Sequence, residues 1–132
     1  MKKNITILGS TGSIGLNALK LITKKKNLFK INILCANKNY KLICEQIRKF
    51  KPKVFIINNF EVYLKIKKKF KNKNIKIINK IENQKNNFQK SDITIAAIPG
   101  IAGLKPTIEL LKKSKKILIA NKESIICGWR LI

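Results

Sequence analysis

The chain has 132 residues, of which 45% are hydrophobic, and it carries a formal net charge of +24. This length and apolar content suit one folded domain with a buried core, and they exclude an intrinsically disordered chain. No apolar stretch is long enough to span a membrane. After Met1-Lys2-Lys3, a largely apolar run of only four residues, 5–8, precedes a glycine turn, so we expect no signal peptide and a cytoplasmic location.

The charge by itself favours a polyanionic partner such as a nucleic acid. Of the thirty basic residues, however, only Arg48 and Arg130 are arginines, and arginine is the residue that most often makes specific contacts to bases. The lysines are spread over every predicted surface, and Lys, Asn and Ile are abundant together, as A/T-rich codon usage would produce. We therefore interpret most of the charge as solvated surface and expect salt-sensitive, nonspecific polyanion binding, with no specific nucleic-acid partner.

Histidine is absent, which excludes a histidine metal cluster and an imidazole general base. The three cysteines are Cys35, Cys44 and Cys127, and their spacing matches no zinc-binding pattern. We expect all three to be free thiols that pack as small apolar side chains.

Apolar runs and amphipathic patterns alternate along the chain. In chain order the sequence predicts a strand at 4–8, a helix at 13–25, a strand at 31–36, a helix at 42–50, a strand at 54–57, a helix at 60–70, a strand at 75–78, a polar segment with a short helix at 79–90, a strand at 93–98, a helix at 103–113, a strand at 117–120 and a helix from Glu123 onward. Continuous apolar strands between amphipathic helices are typical of an α/β fold, a Rossmann-like doubly wound parallel sheet with helices on both faces. Such sheets bind ligands at the carboxyl ends of their strands.

Helical spacing of apolar residues also predicts which helix faces are buried. The predicted buried residues are Ile14, Ala18, Leu19, Leu21 and Ile22 in the first helix and Leu42, Ile43, Ile47 and Phe50 in the second. We interpret the lysine runs at 24–26 and 67–69 as solvated surface.

The first strand leads directly into the segment 9–15, GSTGSIG, and then into the first helix. Glycines permit a sharp turn and a close approach to a ligand, and the N–H groups of a first helical turn bind phosphate. The spacing is one residue longer than the usual G-x-G-x-x-G. The segment favours a dinucleotide pyrophosphate, with an ordinary glycine-rich turn as the alternative. A P-loop is disfavoured because Leu16 and Asn17, and no lysine, follow the last glycine.

The segment 36–39, Ala-Asn-Lys-Asn, follows the second strand. NAD-binding folds place an acidic residue here, against the ribose 2′-OH, and this segment has none. Lys38 can instead neutralise a 2′-phosphate, with Asn37 and Asn39 as hydrogen-bond donors. The segment therefore favours NADP over NAD.

Two further loops follow the last two predicted strands. Residues 97–103 are small and suit close contact with a ring or a ribose. In the last loop, Lys122 can meet an anionic substrate while Asn121 and Glu123 hold a cofactor. The alternative is structural, with Ser124 or Asn121 capping the last helix and Glu123 favourable near its N-terminus.

Four motifs resemble those of the 1-deoxy-D-xylulose 5-phosphate reductoisomerase family: GSTGSIG at 9–15, AxKN at 36–39, AGLxPT at 102–107 and LIANKES at 118–124. They occur in order over essentially the whole chain, and ANKES is the most specific. The resemblance implies an NADPH-dependent oxidoreductase of the non-mevalonate pathway of isoprenoid (terpenoid backbone) biosynthesis. Such an enzyme converts 1-deoxy-D-xylulose 5-phosphate to 2-C-methyl-D-erythritol 4-phosphate, requires a divalent cation (Mg²⁺ or Mn²⁺) and forms homodimers.

The resemblance also implies roles for individual residues. It assigns cofactor contacts to Thr11, Gly12, Ser13 and Ile14 near the NADPH pyrophosphate, to Asn37, Lys38 and Asn39 around the adenosine 2′-phosphate, and to Asn121 and Glu123 near the reactive end. It assigns Lys122 to the substrate. It assigns no catalytic residue and no metal ligand to this chain.

The chain departs from the family pattern at three positions. Asn37 stands where the family commonly has glycine, a position that can require a positive φ, which asparagine tolerates next best. Pro99 removes an N–H donor, and Trp129 replaces a small residue. The family's metal ligands, substrate-phosphate residues, lid and C-terminal helical domain all follow ANKES. We therefore expect residues 1–132 to be the NADPH-binding domain alone, catalytically incomplete. The alternative is another Rossmann-type NADP-dependent oxidoreductase domain or, less favoured by the composition, a basic nucleic-acid-binding module.

Overall fold

Strands and helices alternate through residues 1–79, 89–98 and 113–120, the part of the chain that the computed structural model describes. The strands are β1 (Lys3–Leu8), β2 (Phe29–Ala36), β3 (Val54–Ile57), β4 (Lys76–Ile78), β5 (Ser91–Ala96) and β6 (Ser114–Ile119). The helices are α1 (Ser13–Lys24), α2 (Tyr40–Phe50) and α3 (Phe60–Lys69). No helix in these ranges has the length and apolar character needed to cross a membrane.

These elements match the predicted ones in type and order, although β2, α2, β5 and β6 begin two or three residues earlier than expected, at Phe29, Tyr40, Ser91 and Ser114. Strand β5 also ends earlier, at Ala96. The predicted helices at 103–113 and from Glu123 onward, and most of the polar segment 79–90, lie outside the described residues.

The six strands form one parallel sheet in the order β4-β3-β2-β1-β5-β6. From β1 the chain steps outward through β2 and β3 to β4, and it then returns to the other side of β1 as β5. Leu8, at the end of β1, pairs with Cys35 of β2 and with Ala96 of β5, so three strand ends lie side by side. The order confirms the predicted Rossmann-like sheet. Its reversal between β1 and β5 marks the place where such sheets bind ligands.

Both faces of the sheet are covered by buried apolar side chains. One face packs against α1, α2 and α3, and its core includes Ile7, Leu34, Phe55, Leu19, Ile43, Ile47 and Ile66. The other face carries Leu8, Ile33, Cys35, Val54 and Ile56. Because successive strand residues point to opposite faces, burial of both faces requires continuous apolar runs, which is the pattern in the sequence.

The predicted buried face of α1 is too wide. Leu19 and Ile22 are buried, but Ile14 is 46% exposed and Leu21 is 64% exposed. Gly15 is buried with Leu19 and Ile22, and these three positions follow a spacing of four and three residues. Since Gly15 has no Cβ, α1 packs directly against the backbone of Gly9 and Ser10. The buried face of α1 is therefore narrow and consists of Gly15, Leu19 and Ile22.

The buried face of α2 also differs from the prediction. Leu42 and Phe50 are only half-buried, because they line a groove of about 190 Å³ between α1 and α2 that is open to solvent. The buried residues of α2 are Ile43, Cys44, Gln46 and Ile47. The polar Gln46 was not among the predicted residues.

Two of the cysteines are free and buried as predicted, Cys35 and Cys44, whereas Cys127 lies outside the described residues. Burial raises the pKa of the Cys35 thiol to about 12, although a hydrogen bond with the Asn58 side chain acts in the opposite direction. The thiol therefore stays protonated at neutral pH and behaves as a small apolar core group.

Candidate functional site

The loop after β1 turns sharply at Gly9, which has a φ of +87°. A Cβ at this position would lie 2.7 Å from the carbonyl oxygen of Ala97, in the loop after β5. The backbone conformation and the close contact both require glycine. The Ala97 N–H donates to the Leu8 carbonyl at 2.9 Å, so the loops after β1 and β5 are in direct contact at the carboxyl edge of the sheet.

The other two glycines of the loop have different surroundings. Gly15 is buried, and a Cβ there would lie 2.1 Å from the Gly9 carbonyl oxygen, a distance that no side chain tolerates. Gly12 is exposed. A Cβ at Gly12 would lie 3.6 Å from the Gly9 carbonyl oxygen, which is an ordinary van der Waals contact. The fold itself therefore requires Gly9 and Gly15, whereas Gly12 leaves a stretch of backbone open to solvent.

Helix α1 begins without a side-chain cap. Its N-cap residue is Gly12, in an extended conformation, and its first turn contains no acidic residue. The first helical hydrogen bond runs from the Leu16 N–H to the Gly12 carbonyl at 2.8 Å, so the N–H groups of residues 13–15 have no acceptor within the helix. These N–H groups and the positive end of the helix dipole form a site for an anion.

The N-termini of α2 and α3 are capped by asparagines. The Asn39 Oδ1 accepts the Leu42 N–H at 3.2 Å, and the Asn59 Oδ1 accepts the Val62 N–H at 3.0 Å. Among the three described helices, α1 alone lacks such a cap.

The loop after β2 contains the residues predicted to surround a 2′-phosphate. Asn37, Lys38 and Asn39 are all exposed, and Leu8 and Cys35 pair where β1 and β2 end, so this loop leaves the sheet next to the glycine loop. Asn39 also has a structural role, because its side-chain oxygen caps the N-terminus of α2. Asn37 does not have the positive φ considered from the sequence, since Lys51 is the one described non-glycine residue with a positive φ.

The structure describes only the beginning of the two remaining loops. Ala97 and Ile98 follow β5, and the Ala120 N–H donates to the Ala96 carbonyl at 2.9 Å, so the loop after β6 leaves the same carboxyl edge. The predicted site residues Asn121, Lys122 and Glu123 lie outside the described residues, as do Pro99 and Trp129.

None of the predicted site residues lines either of two grooves on the described surface. One is the space between α1 and α2. The other, of about 330 Å³, is lined by Lys2, Lys26 and Lys30 around Phe29 and Phe50, near the amino ends of β1 and β2. A dinucleotide is an extended ligand that lies across strand ends, so loop chemistry locates its site better than concavity does.

No group of three or more His, Cys, Asp or Glu side chains that could hold a metal ion occurs in the ranges that the structure describes. The carboxyl edge of β1 and β2 therefore offers donors for an anion and no set of ligands for a divalent cation.

Sequence reasoning missed Gln46, whose amide Nε2 donates to the Ser10 carbonyl at 2.9 Å. Gln46 follows Ile43 by three residues and precedes Ile47, so it falls on the buried face of α2. A polar residue at a position that helical periodicity places inward was the signal that could have identified it.

A family model described as 1-deoxy-D-xylulose 5-phosphate reductoisomerase matches residues 5–128. Curated relatives with this name include proteins from Pelagibacter ubique and from Buchnera aphidicola subsp. Schizaphis graminum. The first is 44% identical to this chain, over 98% of this chain and 34% of its own length. The second is also 44% identical, over 96% of this chain and 33% of its own length. The chain thus spans about a third of the length of these relatives.

Solved structures of enzymes with the same name share the fold. The Zymomonas mobilis enzyme in complex with NADPH has a TM-score of 0.86 and 29% identity, over 97% of this chain and 34% of that one. A complex with NADPH, fosmidomycin and magnesium has a TM-score of 0.84 and 28% identity, over 94% of this chain and 31% of that one.

Proposed function

The chain belongs to the 1-deoxy-D-xylulose 5-phosphate reductoisomerase family, and we propose that residues 1–132 form the NADPH-binding domain of such an enzyme. The observation that carries the proposal is the uncapped N-terminus of α1, beside the exposed Gly12 and at the point where the strand order reverses. Rossmann-like sheets bind a dinucleotide pyrophosphate at this position. NADPH is also present in two of the matched structures.

Thr11, Gly12, Ser13 and Ile14 are the proposed pyrophosphate-binding residues. The free N–H groups at the start of α1 donate to phosphate oxygens, and the hydroxyls of Thr11 and Ser13 supply further donors. The exposed side chain of Ile14 then packs against an apolar part of the cofactor instead of facing water. When bound, NADPH supplies the hydride for a reduction.

Asn37, Lys38 and Asn39 are the proposed residues for the adenosine 2′-phosphate. All three are exposed in the loop next to the glycine loop, and no carboxylate is present in this segment to accept the ribose 2′-OH. The Lys38 ammonium pairs with the phosphate, and the amide side chains contribute donors. This charge arrangement supports a preference for NADPH over NADH.

The proposed reaction is the family's NADPH-dependent conversion of 1-deoxy-D-xylulose 5-phosphate to 2-C-methyl-D-erythritol 4-phosphate, in the cytoplasm and in a homodimer. Asn121 and Glu123 contact the cofactor near its reactive end, and Lys122 contacts the anionic substrate. A divalent cation polarises the substrate carbonyl in such a reaction. The described side chains do not form a metal site, so we assign no metal step to them. Since the chain matches a third of its relatives' length, we expect no turnover by residues 1–132 alone.

Calorimetric titration with NADPH, NADH and inorganic pyrophosphate tests the proposal. A chain with a net charge of +24 attracts any polyanion, and salt screens that attraction. We expect NADPH to bind more tightly than NADH and the difference to persist at high salt. Equal affinities for the two cofactors, or NADPH binding that fades with salt as steeply as pyrophosphate binding, would contradict the proposal.

The variant Gly12→Val locates the ligand. A branched Cβ covers the free N–H groups of α1, so NADPH binding should be lost, while the exposed position preserves the fold. Thermal unfolding of the variant provides the control. Tight NADPH binding by a folded Gly12→Val protein would mean that the cofactor binds elsewhere.

A further inference from the structure

Gln46 is a buried polar residue on the face of α2 that packs against the sheet. Its side chain is 4% exposed, and its neighbours on this face are Ile43, Cys44 and Ile47. Burying an amide is costly unless its polar atoms are hydrogen-bonded. The Gln46 Nε2 donates to the Ser10 carbonyl oxygen at 2.9 Å, across 36 positions of sequence. This bond therefore links the second helix of the fold to the glycine loop that follows the first strand.

The bond determines the orientation of the Gln46 amide. With the amide reversed, its Oε1 would face the carbonyl oxygen of Ser10, and two acceptors would meet. The Gln46 Oε1 and the Ser10 Oγ are both buried, and neither has a hydrogen-bond partner among the described residues. The contact with the Ser10 carbonyl is thus the polar interaction that stabilises this side chain in the core.

The backbone at Ser10 is held from two directions. The N–H groups of Gly9 and Ser10 both donate to the Cys35 carbonyl, at 2.8 and 2.9 Å, and Gln46 holds the Ser10 carbonyl from the side of α2. In a planar trans peptide, the C=O and the N–H point in opposite directions. The peptide that joins Ser10 to Thr11 therefore directs its N–H away from Gln46.

We infer that Gln46 is a positioning residue for the dinucleotide: its bond to the Ser10 carbonyl orients the Thr11 N–H toward the pyrophosphate. The inference rests on the proposed function of the glycine loop. It adds to that function an N–H donor that precedes the first turn of α1. Because Asn39, in the loop proposed for the 2′-phosphate, is the N-cap of α2, the same helix contacts both parts of the proposed cofactor site.

The variant Gln46→Met removes the donor and keeps a side chain of similar length. We expect the dissociation constants for NADPH and NADH to rise together by about tenfold, as for the loss of one oriented hydrogen bond to a charged group. The ratio of the two constants should stay unchanged, because the 2′-phosphate loop is intact. Retained affinity in a folded variant, or a changed ratio, would overturn the inference.

Two matched variants separate positioning from stability. Ile47→Val lies in the same turn of α2 and removes a buried methyl group, so it should lower the melting temperature without changing either dissociation constant. Glu45→Gln alters the exposed neighbour and should change neither quantity. If Gln46→Met does not fold, Gln46→Leu removes the same donor in an apolar side chain that suits the buried position, and it should weaken the binding of both cofactors by a similar factor.

Amide spectra of the unliganded protein make the test independent of cofactor binding. In ¹⁵N-labelled protein, Gln46→Met should shift the Thr11 amide signal, and Ile47→Val should not. Absence of NADPH binding by the unsubstituted chain would overturn the proposed function. An unshifted Thr11 signal in Gln46→Met would overturn the inference about Gln46, whatever the cofactor result.

Discussion

Helices α1 and α3 begin in the same architectural position, each after a parallel strand and on the same face of the sheet, but their N-termini differ. Helix α3 has Asn59 as its cap and Glu61 in its first turn. Helix α1 has Gly12 as its cap, with no side-chain hydrogen bond and no acidic residue in its first turn. At the N-terminus of α3 a side chain therefore caps one N–H and a carboxylate faces the dipole, whereas α1 leaves its N–H groups and dipole available to an anion.

This difference shows that topology alone does not make a phosphate site. The sheet brings several helix N-termini to its carboxyl edge, and the residue at each N-cap decides whether the free N–H groups serve the fold or a ligand. An anion at α3 would meet the carboxylate of Glu61, which already occupies the favourable electrostatic position. Exchanging the features that distinguish the two helices tests whether the N-cap residue causes the difference.

The largest effect is expected for Gly15→Ala, which breaks the close packing of α1 on its loop. The new Cβ would lie 2.1 Å from the Gly9 carbonyl oxygen, and neither backbone can yield without moving the helix. We expect a loss of about 4 kcal/mol or more in the free energy of unfolding, measured by chemical denaturation. The matched control is Gly12→Ala, which has space for a Cβ and should cost at most about 1 kcal/mol. Equal losses in the two variants would contradict this account.

Gly12→Asp converts the N-terminus of α1 into one like that of α3. The carboxylate should accept the free N–H groups and repel phosphate, so NADPH affinity should fall by about 100-fold or more. The free energy of unfolding should stay constant or rise by a few tenths of a kcal/mol, because aspartate is a better N-cap than glycine. Asn59→Asp introduces the same charge at the N-cap of α3 and should leave calorimetric NADPH affinity unchanged.

Lys38→Glu should change cofactor choice. The substitution removes a cation from the loop proposed for the 2′-phosphate and adds a carboxylate that can accept the ribose 2′-OH, so NADPH affinity should fall by roughly tenfold to 100-fold. NADH affinity should be unchanged or higher. Lys41→Glu makes the same charge change at an exposed position in the first turn of α2. If it alters the NADPH-to-NADH ratio equally, the preference arises from overall charge and Lys38 has no specific role.

The capping asparagines of α2 and α3 separate the loss of an N-cap from the loss of a proposed cofactor contact. Asn59→Ala and Asn39→Ala each remove an N-cap and should each cost about 1 kcal/mol in the free energy of unfolding. Only Asn39→Ala should also lower the affinity for NADPH, because Asn39 lies in the loop proposed for the 2′-phosphate. A similar loss of NADPH affinity in Asn59→Ala would mean that binding responds to stability in general.

The smallest effect is expected at the opposite edge of the sheet. The Asp92 carboxylate accepts the Asn4 N–H at 2.7 Å and pairs with the Lys115 ammonium at 3.2 Å, and the backbone hydrogen bond and then the lysine lower its pKa. Because the folded-state pKa lies below the unfolded one, this contribution to stability is present above about pH 4. It is lost as the pH falls through the lower, folded-state value.

Asp92→Asn should therefore remove a small acid-side decline in stability, measured by denaturation between about pH 5 and pH 2. The Lys115 side chain is exposed, and screening by water keeps the effect small. Cofactor affinity at neutral pH should not change, because Asp92 lies near the amino end of β5, away from the loops of the proposed site.

Several features of the fold could be predicted because they depend on local pattern. Continuous apolar runs identified the strands, and glycine spacing identified the turn between β1 and α1. Helix faces were harder to predict. Ile14 and Leu21 fit an apolar stripe, but the width of the buried face depends on how closely the helix approaches its neighbours. In α1 the buried Gly15 sets that approach, and the sequence contains no measure of it.

Some features of the candidate site could likewise be predicted from a short segment, whereas others depend on tertiary packing. The glycine loop and the absence of a carboxylate near Lys38 were readable from the sequence, since each is a property of a short segment. The role of Gln46 was not, because its partner is a backbone carbonyl 36 positions away, and only the packing of α2 beside the glycine loop brings the two together.

Three features could be predicted from the sequence alone: the alternation of strands and helices, the parallel arrangement of the sheet and the chemistry of the loop at 9–15. These follow from hydrophobic periodicity and from the conformational freedom of glycine, which act over a few residues. The strand order, and therefore which loops lie next to each other, depends on tertiary structure. The strands carry similar apolar patterns, so the sequence does not show which of them pair. The crossing of the chain from β4 back to β5 placed the loop after β5 against Gly9, and that long-range contact explains why this glycine cannot be replaced.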